Sequence, residues 1–258
     1  MPKGSLTVVG SGIKSISHLT QEAQLHIAQA EKVLYGLADT FAILSVEDLN
    51  STAEALPYYF ERKSRIETYH HWVEIIAANV RAGTKLCVVF YGHPGVFVYA
   101  SHEAIKLLRS EGFEATMLPG ISAEDCMIAD LGFDPARGGC QSFEATDFLV
   151  HHRKFDPTSH LILWQIWSIG ENRYNPAAHS AVGLEILKEE LLRTYDKNHE
   201  VIVYEASKYP ISDAVIQRLP LEKLCDATIS TISTLYVPPY GSSPMDKDIL
   251  ERLVFRHS

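Results

Sequence analysis

The sequence predicts an α/β protein with two α/β subdomains, in which the N-terminal sheet is mainly parallel and the C-terminal sheet is mixed. In the first half of the 258-residue chain, short apolar runs alternate with amphipathic segments of helical period. This alternation is typical of a parallel sheet with helices on its faces. Past Gly138 and Gly139, apolar runs follow one another closely, which indicates a mixed sheet. We expect the subdomains to be 1–145 and 146–258.

The first three elements are a strand, a helix and a second strand. Residues 6–10 form an apolar run that ends in glycine, and Thr20 is a good N-cap for a helix that extends to about Ala30. Residues 32–36 have the composition of the next strand. A polar stretch that contains Pro57 separates this strand from a long helix.

The long helix begins near Ser64, and Gly83 is a natural end for it. Its apolar residues recur at intervals of three and four, as in a helix with one buried face. They are Ile66, Tyr69, Trp72, Val73, Ile76 and Val80. A strand at 86–89, a helix at about 103–110 and a strand at 114–118 follow. This order completes the strand and helix alternation of the first half.

The second half contains four predicted strands and two predicted helices. The strands are expected at 161–166, 201–206, 214–219 and 228–237. One long helix is expected at 182–193, and a short helix at 247–255 ends the chain. Strands in such close succession favour a sheet that is not purely parallel.

Charge and hydropathy exclude several classes of function. The net charge is −9 and the basic residues are scattered, so the sequence lacks the basic patch of a nucleic-acid-binding protein. No run approaches the roughly 18 apolar residues of a membrane span, and no signal peptide is evident, so we expect a cytoplasmic protein without a membrane partner. The pairs His70-His71 and His151-His152 lack the spacing of helical metal ligands, and we expect no metal site.

Glycine-rich loops follow several of the predicted strands. The strand at 86–89 stops at the loop 91–97, which contains two glycines and a proline. Such a loop presents backbone groups at the strand's carboxyl end, where open α/β sheets bind ligands. Segments 10–12 and 119–123 occupy comparable positions, and a fourth segment, 232–234, lies in the last predicted strand. If the four segments meet, they line one cofactor cleft between the two subdomains.

The loop chemistry favours a polar ligand without a standard phosphate motif. Ser122 and Asp125 have the spacing of a capping box, which marks a helix start whose free N–H groups attract polar or anionic groups. The third residue after Gly12 is Ser15 instead of glycine, and no Gly-Lys-Ser/Thr sequence is present. Binding of a nucleoside triphosphate through a P-loop is therefore not expected.

Arg65 and Tyr69 lie four residues apart on the predicted long helix, so both side chains project from one face. Together with Tyr58 and Tyr59, they could deprotonate a weak acid and stabilise the resulting oxyanion. On spacing alone, the favoured alternative is that Tyr69 belongs to the core and Arg65 is a solvated charge. His93 is either a general base or a residue that binds the cofactor or fixes its loop.

Four segments together resemble the borosin peptide α-N-methyltransferases, which belong to the tetrapyrrole (corrin/porphyrin) methylase superfamily. They are Tyr-Gly-His-Pro-Gly-Val-Phe at 91–97, Pro-Gly-Ile-Ser-Ala-Glu-Asp-Cys at 119–126, Ala-Asp-Leu-Gly-Phe-Asp-Pro at 129–135 and Ser-Phe-Glu-Ala-Thr-Asp-Phe at 142–148. The resemblance continues through 163–166, 200–206 and 232–235, and it covers about residues 4–240.

The resemblance implies a tetrapyrrole-methylase-like fold, S-adenosylmethionine as methyl donor with S-adenosylhomocysteine as product, and a peptide backbone amide as acceptor. It places Tyr59, Arg65 and Tyr69 at the family's catalytic positions. Because the lone pair of an amide nitrogen is delocalised, a tyrosine would remove the N–H proton while Arg65 stabilises the imidate. The implied donor pocket comprises Tyr91, His93, Val96, Phe97, Ser122, Ala123, Gln165, Ala206, Ser233 and Thr234.

The resemblance also implies partners. Fused members of the group carry a C-terminal core peptide that the enzyme methylates on itself. This sequence ends at Ser258 without an apolar tail, so we expect a split form that acts on a separate precursor peptide during maturation of a ribosomal peptide. A homodimer is implied as well, or a heterotetramer with the precursor.

Two alternative functions stay open. One is C-methylation of a tetrapyrrole or another small molecule, and the other is a peptide-binding module without activity. Tetrapyrrole enzymes of the superfamily have Asp at the position of His93 and Gly-Pro-Gly at the position of 10–12, so both departures count against a porphyrin substrate. The intact Tyr-Arg-Tyr set counts against an inactive module.

Overall fold

The computed structural model describes residues 4–58, 64–171 and 181–254. Within these residues the chain forms two compact units, each with one five-stranded sheet. The first unit contains 4–58, 64–133, Glu171 and 205–215, and the second contains 134–170, 181–204 and 216–254. The subdomain limits 1–145 and 146–258 stay a prediction.

The first unit is built on a parallel sheet. Its strands are β1 (Ser5–Gly10), β2 (Lys32–Gly36), β3 (Ala53–Ala55), β4 (Lys85–Phe90) and β5 (Glu114–Met117). The strand order is β3-β2-β4-β1-β5, and all four neighbouring pairs are parallel. The helices are α1 (Gln21–Gln29), α2 (Thr40–Leu49), α3 (Arg65–Arg81), α4 (Tyr99–Ser110) and α5 (Ala123–Leu131).

Alternate residues of these strands enter two separate hydrophobic clusters. Val8 of β1 belongs to one cluster, which also contains Ile76 of α3 and Leu108 of α4. The next residue, Val9, belongs to the other cluster, together with Ile27 of α1. Because successive side chains of a strand point to opposite faces, the sheet is covered on both sides, as parallel sheets require.

The second sheet is mixed. Its strands are β6 (Cys140–Glu144), β7 (His160–Trp164), β8 (Glu200–Glu205), β9 (Val215–Pro220) and β10 (Thr234–Val237), in the order β6-β7-β10-β8-β9. Strands β6 and β7 are parallel, whereas β10 runs antiparallel to both β7 and β8. The accompanying helices are α6 (Ala145–Val150), α7 (Ala181–Leu192) and α8 (Lys247–Val254), with short 3-10 helices at Ile166–Ser168 and Leu221–Asp226.

The predicted α/β fold class, with one parallel and one mixed sheet, is confirmed. Three predicted boundaries are wrong: α4 begins at Tyr99 instead of near 103, β7 ends at Trp164 instead of 166, and β10 begins at Thr234 instead of 228. Ser233 N donates to Ser230 O at 3.1 Å, so a turn occupies the start of the predicted last strand. Elements α2, β3, β6 and α6 were not predicted; β3, β6 and α6 contain only three to six residues each.

Candidate active site

The loops that follow β1, β4 and β5 leave the first sheet at the carboxyl ends of neighbouring strands. The last residues of β1, β4 and β2 lie at the same level of the sheet, because Gly10 and Gly36 both lie opposite Phe90. Ser11 N donates to Phe90 O at 2.8 Å, and Gly12 and Gly92 exchange two backbone hydrogen bonds of 3.2 and 3.1 Å. The predicted meeting of the loops that follow β1 and β4 is therefore present within this unit.

Gly10, Gly92 and Gly120, which we call the glycine junction, bring the backbones of three loops together. A Cβ on Gly10 would lie 2.0 Å from Gly92 O and 2.8 Å from Pro94 Cδ. A Cβ on Gly120 would lie 3.2 Å from the same carbonyl oxygen. Backbones pack this closely only where side chains are absent, so the glycines are required by packing.

His93 holds the loop between β4 and α4. Its Nδ1 accepts a hydrogen bond from Gly95 N at 3.0 Å, and Nε2 of His102 lies 2.8 Å from Gly95 O. Phe97 in the same loop has a φ of 57°, which is strained for a non-glycine residue. Of the alternatives for His93, these contacts favour fixing of the loop over general-base catalysis.

The same loop presents large side chains at the surface of the first unit. Tyr91, Val96 and Phe97 are 37%, 39% and 49% exposed. Partial burial, with smaller contributions from the charges of Cys126 and Asp39, raises the pKa of Tyr91 to about 12. The phenol therefore stays protonated at neutral pH and can donate a hydrogen bond. Scattered apolar residues are normal on surfaces, but these three lie within seven residues of one loop.

The third loop ends in the predicted capping box. Ser122 Oγ accepts from Asp125 N at 3.2 Å, and Asp125 Oδ2 accepts from Ser122 N at 2.7 Å. The box starts α5 at Ala123, three residues after Gly120 of the glycine junction. Ser122 is buried, so this helix start is a fixed part of the strand edge.

The remaining donor-pocket predictions lie at one edge of the second sheet. Thr234 pairs with Tyr204 at the end of β8, one residue from Glu205 and two from Ala206. Gln165 follows β7 directly and has a left-handed φ of 59°. Ser233 and Thr234 at the start of β10 are buried. Because β10 is antiparallel to β7 and β8, its first residues meet their last ones.

Arg65 and Tyr69 line one open pocket of about 540 Å³. Its walls, which we call the phenol pocket, are Ser64, Arg65, Ile66, Tyr69, Tyr99 and Glu171. Ser64 caps α3 in a capping box with Glu67, and this cap places Arg65 in the first turn. Both side chains are partly buried, so neither the pure core role of Tyr69 nor the fully solvated Arg65 is found. Tyr59 lies outside the described residues.

Trp72 packs between Tyr69 of the phenol pocket and Phe90 at the end of β4. Its ring lies 5.6 Å from that of Tyr69 and 5.9 Å from that of Phe90, which ends β4. Its Nε1 donates to Pro57 O at 2.7 Å. Buried aromatic contacts of this kind fix ring positions, and here they orient the Tyr69 phenol relative to the first sheet.

Two residues of this region were missed by the sequence interpretation. Tyr99 was not included because α4 was expected to begin four residues later. Asp39, the N-cap of α2, accepts hydrogen bonds from Ser15 Oγ at 2.6 Å and from the Tyr209 hydroxyl at 2.5 Å. Its position before the unpredicted helix was the available signal, since Asp is a preferred N-cap.

The Asp39 carboxylate joins three distant parts of the first unit. Besides Ser15 and Tyr209, it accepts from Ala42 N at 3.0 Å, and Ser15 N donates to Lys208 O at 2.9 Å. Burial favours the neutral acid, but the hydrogen bonds from Ser15, Tyr209 and Ala42 outweigh it and lower the pKa of Asp39. The ionised carboxylate therefore holds the segment that follows Ala206 against the loop that follows β1.

The described residues also limit other kinds of site. Over 4–58, 64–171 and 181–254, no three His, Cys, Asp or Glu side chains are grouped to hold a metal ion. In the same ranges, no helix combines the length and the hydropathy that a membrane span needs.

Solved structures share this fold at low sequence identity. The uroporphyrin-III-C-methyltransferase of Thermus thermophilus matches with a TM-score of 0.65 at 19% identity, covering 95% of this chain and 99% of that one. A diphthine synthase matches with a TM-score of 0.65 at 14% identity, covering 97% and 95%. These matches show the fold alone.

Curated relatives are much more similar in sequence. The chain is 42% identical over 256 residues to the methyltransferase/ribosomally synthesized cyclic peptide gymnopeptides precursor of Gymnopus fusipes. It is 40% identical to a type III borosin cyclic peptide precursor of Anomoporia bombycina and 39% identical to the omphalotin A precursor of Omphalotus olearius. Each match covers 97% of this chain, but only 61%, 30% and 61% of the respective relatives.

The expected resemblance to borosin methyltransferases is thus confirmed at the level of sequence similarity. The family model described as Tetrapyrrole (Corrin/Porphyrin) Methylases matches residues 5–223. That range contains both sheets except β10, together with the glycine junction and the described part of the phenol pocket. On this match and on the shared fold, the chain belongs to the tetrapyrrole (corrin/porphyrin) methylase family.

Proposed function

We propose that this chain is an S-adenosylmethionine-dependent methyltransferase that methylates backbone amide nitrogens of a ribosomally made peptide. The observation that carries the proposal is its similarity, over nearly the whole chain, to proteins named methyltransferase and cyclic peptide precursor. A methyltransferase that acts on a peptide needs one site for the methyl donor and one for the amide acceptor. In the first unit, the glycine junction suits the donor and the phenol pocket suits the acceptor.

The residues at the strand ends fit a donor of this kind. The glycine junction brings three loops together at the carboxyl edge of a parallel sheet, which is where such sheets bind nucleotide-like ligands. Tyr91, Val96 and Phe97 offer apolar and aromatic surface beside it, and Ser122 and Ala123 open a helix next to it. S-adenosylmethionine, when bound, supplies a methyl group activated by a positively charged sulfur. We propose His93, Gln165, Ala206, Ser233 and Thr234 as further donor-binding residues.

The phenol pocket provides the groups that an amide acceptor needs. The nitrogen of an amide becomes nucleophilic only after its proton is removed, because its lone pair is otherwise delocalised into the carbonyl. Arg65 would bind the carbonyl oxygen and stabilise the charge that develops there. Tyr69, or Tyr59, would accept or relay the proton. For the methyl transfer itself, the protein would then only need to hold the deprotonated nitrogen in line with the methyl group of the donor.

The proposed acceptor is a precursor peptide supplied as a separate molecule. Intact mass spectrometry tests this with two added peptides, namely the precursor encoded by an adjacent reading frame and the core peptide of the Omphalotus olearius relative. We expect mass increases in whole multiples of one methylene, and only when S-adenosylmethionine is present. The homodimer and the heterotetramer with precursor are predictions that size measurement of the same mixtures checks.

A pair of Tyr→Phe variants assigns the chemistry to the phenol pocket. Tyr69→Phe should slow methylation by about 100-fold or more, the usual contribution of a proton-transfer group. Tyr195→Phe is the matched control, because its buried hydroxyl has no hydrogen-bond partner in the described structure. Equal activity of both variants would remove the catalytic role of Tyr69. No methylation of either peptide by the unmodified protein would contradict the proposed function.

A small-molecule substrate makes the opposite predictions. In that case the purified protein should bind a porphyrinoid, and Arg65→Lys should leave the rate nearly unchanged. For an amide acceptor, Arg65→Lys should be strongly impaired, because lysine cannot offer the planar paired donors of a guanidinium to an oxyanion.

A further inference from the structure

Tyr99 is a wall of the phenol pocket that comes from a different helix than Arg65 and Tyr69. It is the first residue of α4, two residues after Phe97 in the loop that we assign to the methyl donor. It is 39% exposed. Only one residue therefore separates Phe97 of the donor loop from Tyr99 in the wall of the acceptor pocket.

His70 is hydrogen-bonded to this phenol. Nε2 of His70 lies 3.0 Å from the Tyr99 hydroxyl, and the two rings lie 5.6 Å apart. His70 follows Tyr69 on α3 and is exposed to solvent. Tyr99 thus lines the pocket, and the hydrogen-bond partner of its hydroxyl is exposed to solvent. A pair arranged in this way can carry a proton from a pocket to water.

The pair solves a difficulty in the proposed chemistry. A phenol has an ordinary pKa of about 10, so few phenolates exist near pH 7 to act as a base. An imidazole, with an ordinary pKa of about 6.5, can accept a proton at that pH. A phenol between an acid and a neutral imidazole can take one proton and pass on another, without ever holding a full negative charge.

We propose that Tyr99 and His70 form a proton relay for the N-methylation reaction, with Tyr99 as a catalytic residue and His70 as the terminal acceptor. This inference rests on the proposed function. In the step, the amide N–H bond breaks and its proton bonds to the Tyr69 oxygen, the Tyr69 O–H proton passes to the Tyr99 oxygen, and the Tyr99 O–H proton bonds to His70 Nε2. The amide becomes an imidate with one negative charge, and the imidazole becomes an imidazolium with one positive charge. The imidazolium then releases its proton to solvent.

The alternative is that the pair only ties α3 to α4. The two helices are already joined by the hydrophobic cluster that contains Val80 and Leu108. They are also joined by an ion pair, in which Arg81 Nε donates to Glu111 Oε2 at 2.8 Å. Arg81 ends α3 and Glu111 caps α4, far along both helices from Arg65 and Tyr99. Glu111→Gln is therefore a matched control, since it weakens a tie between the same helices without touching the pocket.

Kinetics of peptide methylation with the full chain test the relay. Tyr99→Phe and His70→Ala should each lower kcat by at least about 10-fold, with little change in KM or in donor affinity measured by calorimetry. Added imidazole should restore much of the kcat of His70→Ala, but not that of Tyr99→Phe. Glu111→Gln should keep the kcat of the unmodified protein.

Three outcomes would overturn the relay. If both variants keep full kcat while Tyr69→Phe loses it, the proton leaves by another route and the proposed function stands. If kcat falls in His70→Ala without rescue by imidazole, and thermal stability falls with it, the pair has a packing role. If the unmodified protein methylates neither test peptide, the proposed function and the relay fail together.

Discussion

The glycine junction and the phenol pocket lie in the same unit but are built in opposite ways. At the junction, backbone atoms pack so closely that a single Cβ on Gly10 would overlap Gly92 O. In the phenol pocket, side chains that include two tyrosines and an arginine surround about 540 Å³ of open space. Substitutions at the junction should therefore affect folding, whereas substitutions in the pocket should affect chemistry. Function can therefore be tested by substitutions in the phenol pocket, but not by substitutions at the glycine junction.

The largest effect is expected at Gly10. Gly10→Ala places a Cβ against backbone that cannot move aside, and should lower the free energy of unfolding by about 3 kcal/mol or more. The control is Gly132→Ala at the end of α5, where the φ is 70° but a Cβ would meet nothing within 4 Å. That variant should lose only about 1–2 kcal/mol, from the strained φ. Urea unfolding compares the two, and equal losses would contradict the packing argument.

A smaller effect is expected at Asp39. Asn at this position can still cap α2, but it loses charge-assisted hydrogen bonds from Ser15 and Tyr209, so unfolding should become easier by about 2 kcal/mol at pH 7. Because hydrogen bonds lower the folded-state pKa of Asp39, its contribution is present above about pH 4 and is lost as pH falls below that value. The difference between the unmodified protein and Asp39→Asn should therefore narrow at about pH 3. If the difference in unfolding free energy between the two proteins is the same at every pH, the charge of Asp39 does not contribute to stability.

A third effect separates capping from donor binding. Ser122→Ala and Thr20→Ala each remove a side chain that accepts from a helix N–H, at 3.2 and 3.1 Å respectively. Each should cost about 1 kcal/mol of stability. Only Ser122 lies beside the glycine junction, so only its variant should also weaken binding of S-adenosylmethionine in calorimetry. Equal affinities in the two variants would remove Ser122 from the donor site.

The smallest effect on stability is expected in the phenol pocket. Tyr69→Phe keeps the ring that packs against Trp72 and removes only a hydroxyl, so stability should change by less than about 0.5 kcal/mol. The same variant should lose methylation. Thermal unfolding and intact mass measurement on one preparation check both statements. A large loss of stability would show that the Tyr69 hydroxyl is needed for folding. The phenol pocket would then not differ from the glycine junction in its tolerance of substitution.

Much of the fold follows from local signals in the sequence. The capping box at Ser122 and the N-cap at Thr20 were predicted and are present, because a cap depends on residues three apart. Strand β2 was predicted at its observed limits, since its apolar run is bounded by a polar residue and a glycine. Short elements such as β3 and β6 were missed, because three to five half-exposed residues carry too little pattern.

The candidate site divides in the same way. Arg65 and Tyr69 could be placed on one face from their spacing, because four residues make about one helical turn. That Tyr99 joins them could not be predicted, since it depends on how α4 packs against α3. The contact between Asp39 and Tyr209 spans 170 positions of sequence, and no local rule indicates such a pair.

Local sequence patterns were enough to predict where most strands and helices lie, which loops carry glycine, and which family the chain resembles. These properties arise from neighbours along the chain and from motifs in fixed order. Tertiary packing was needed to show that Gly10, Gly92 and Gly120 meet, that Asp39 ties down the segment after Ala206, and that Tyr99, hydrogen-bonded to His70, lines the phenol pocket. These contacts exist because packing of the helices on the sheet closes long loops, and burial in the core supplies the free energy for that closure.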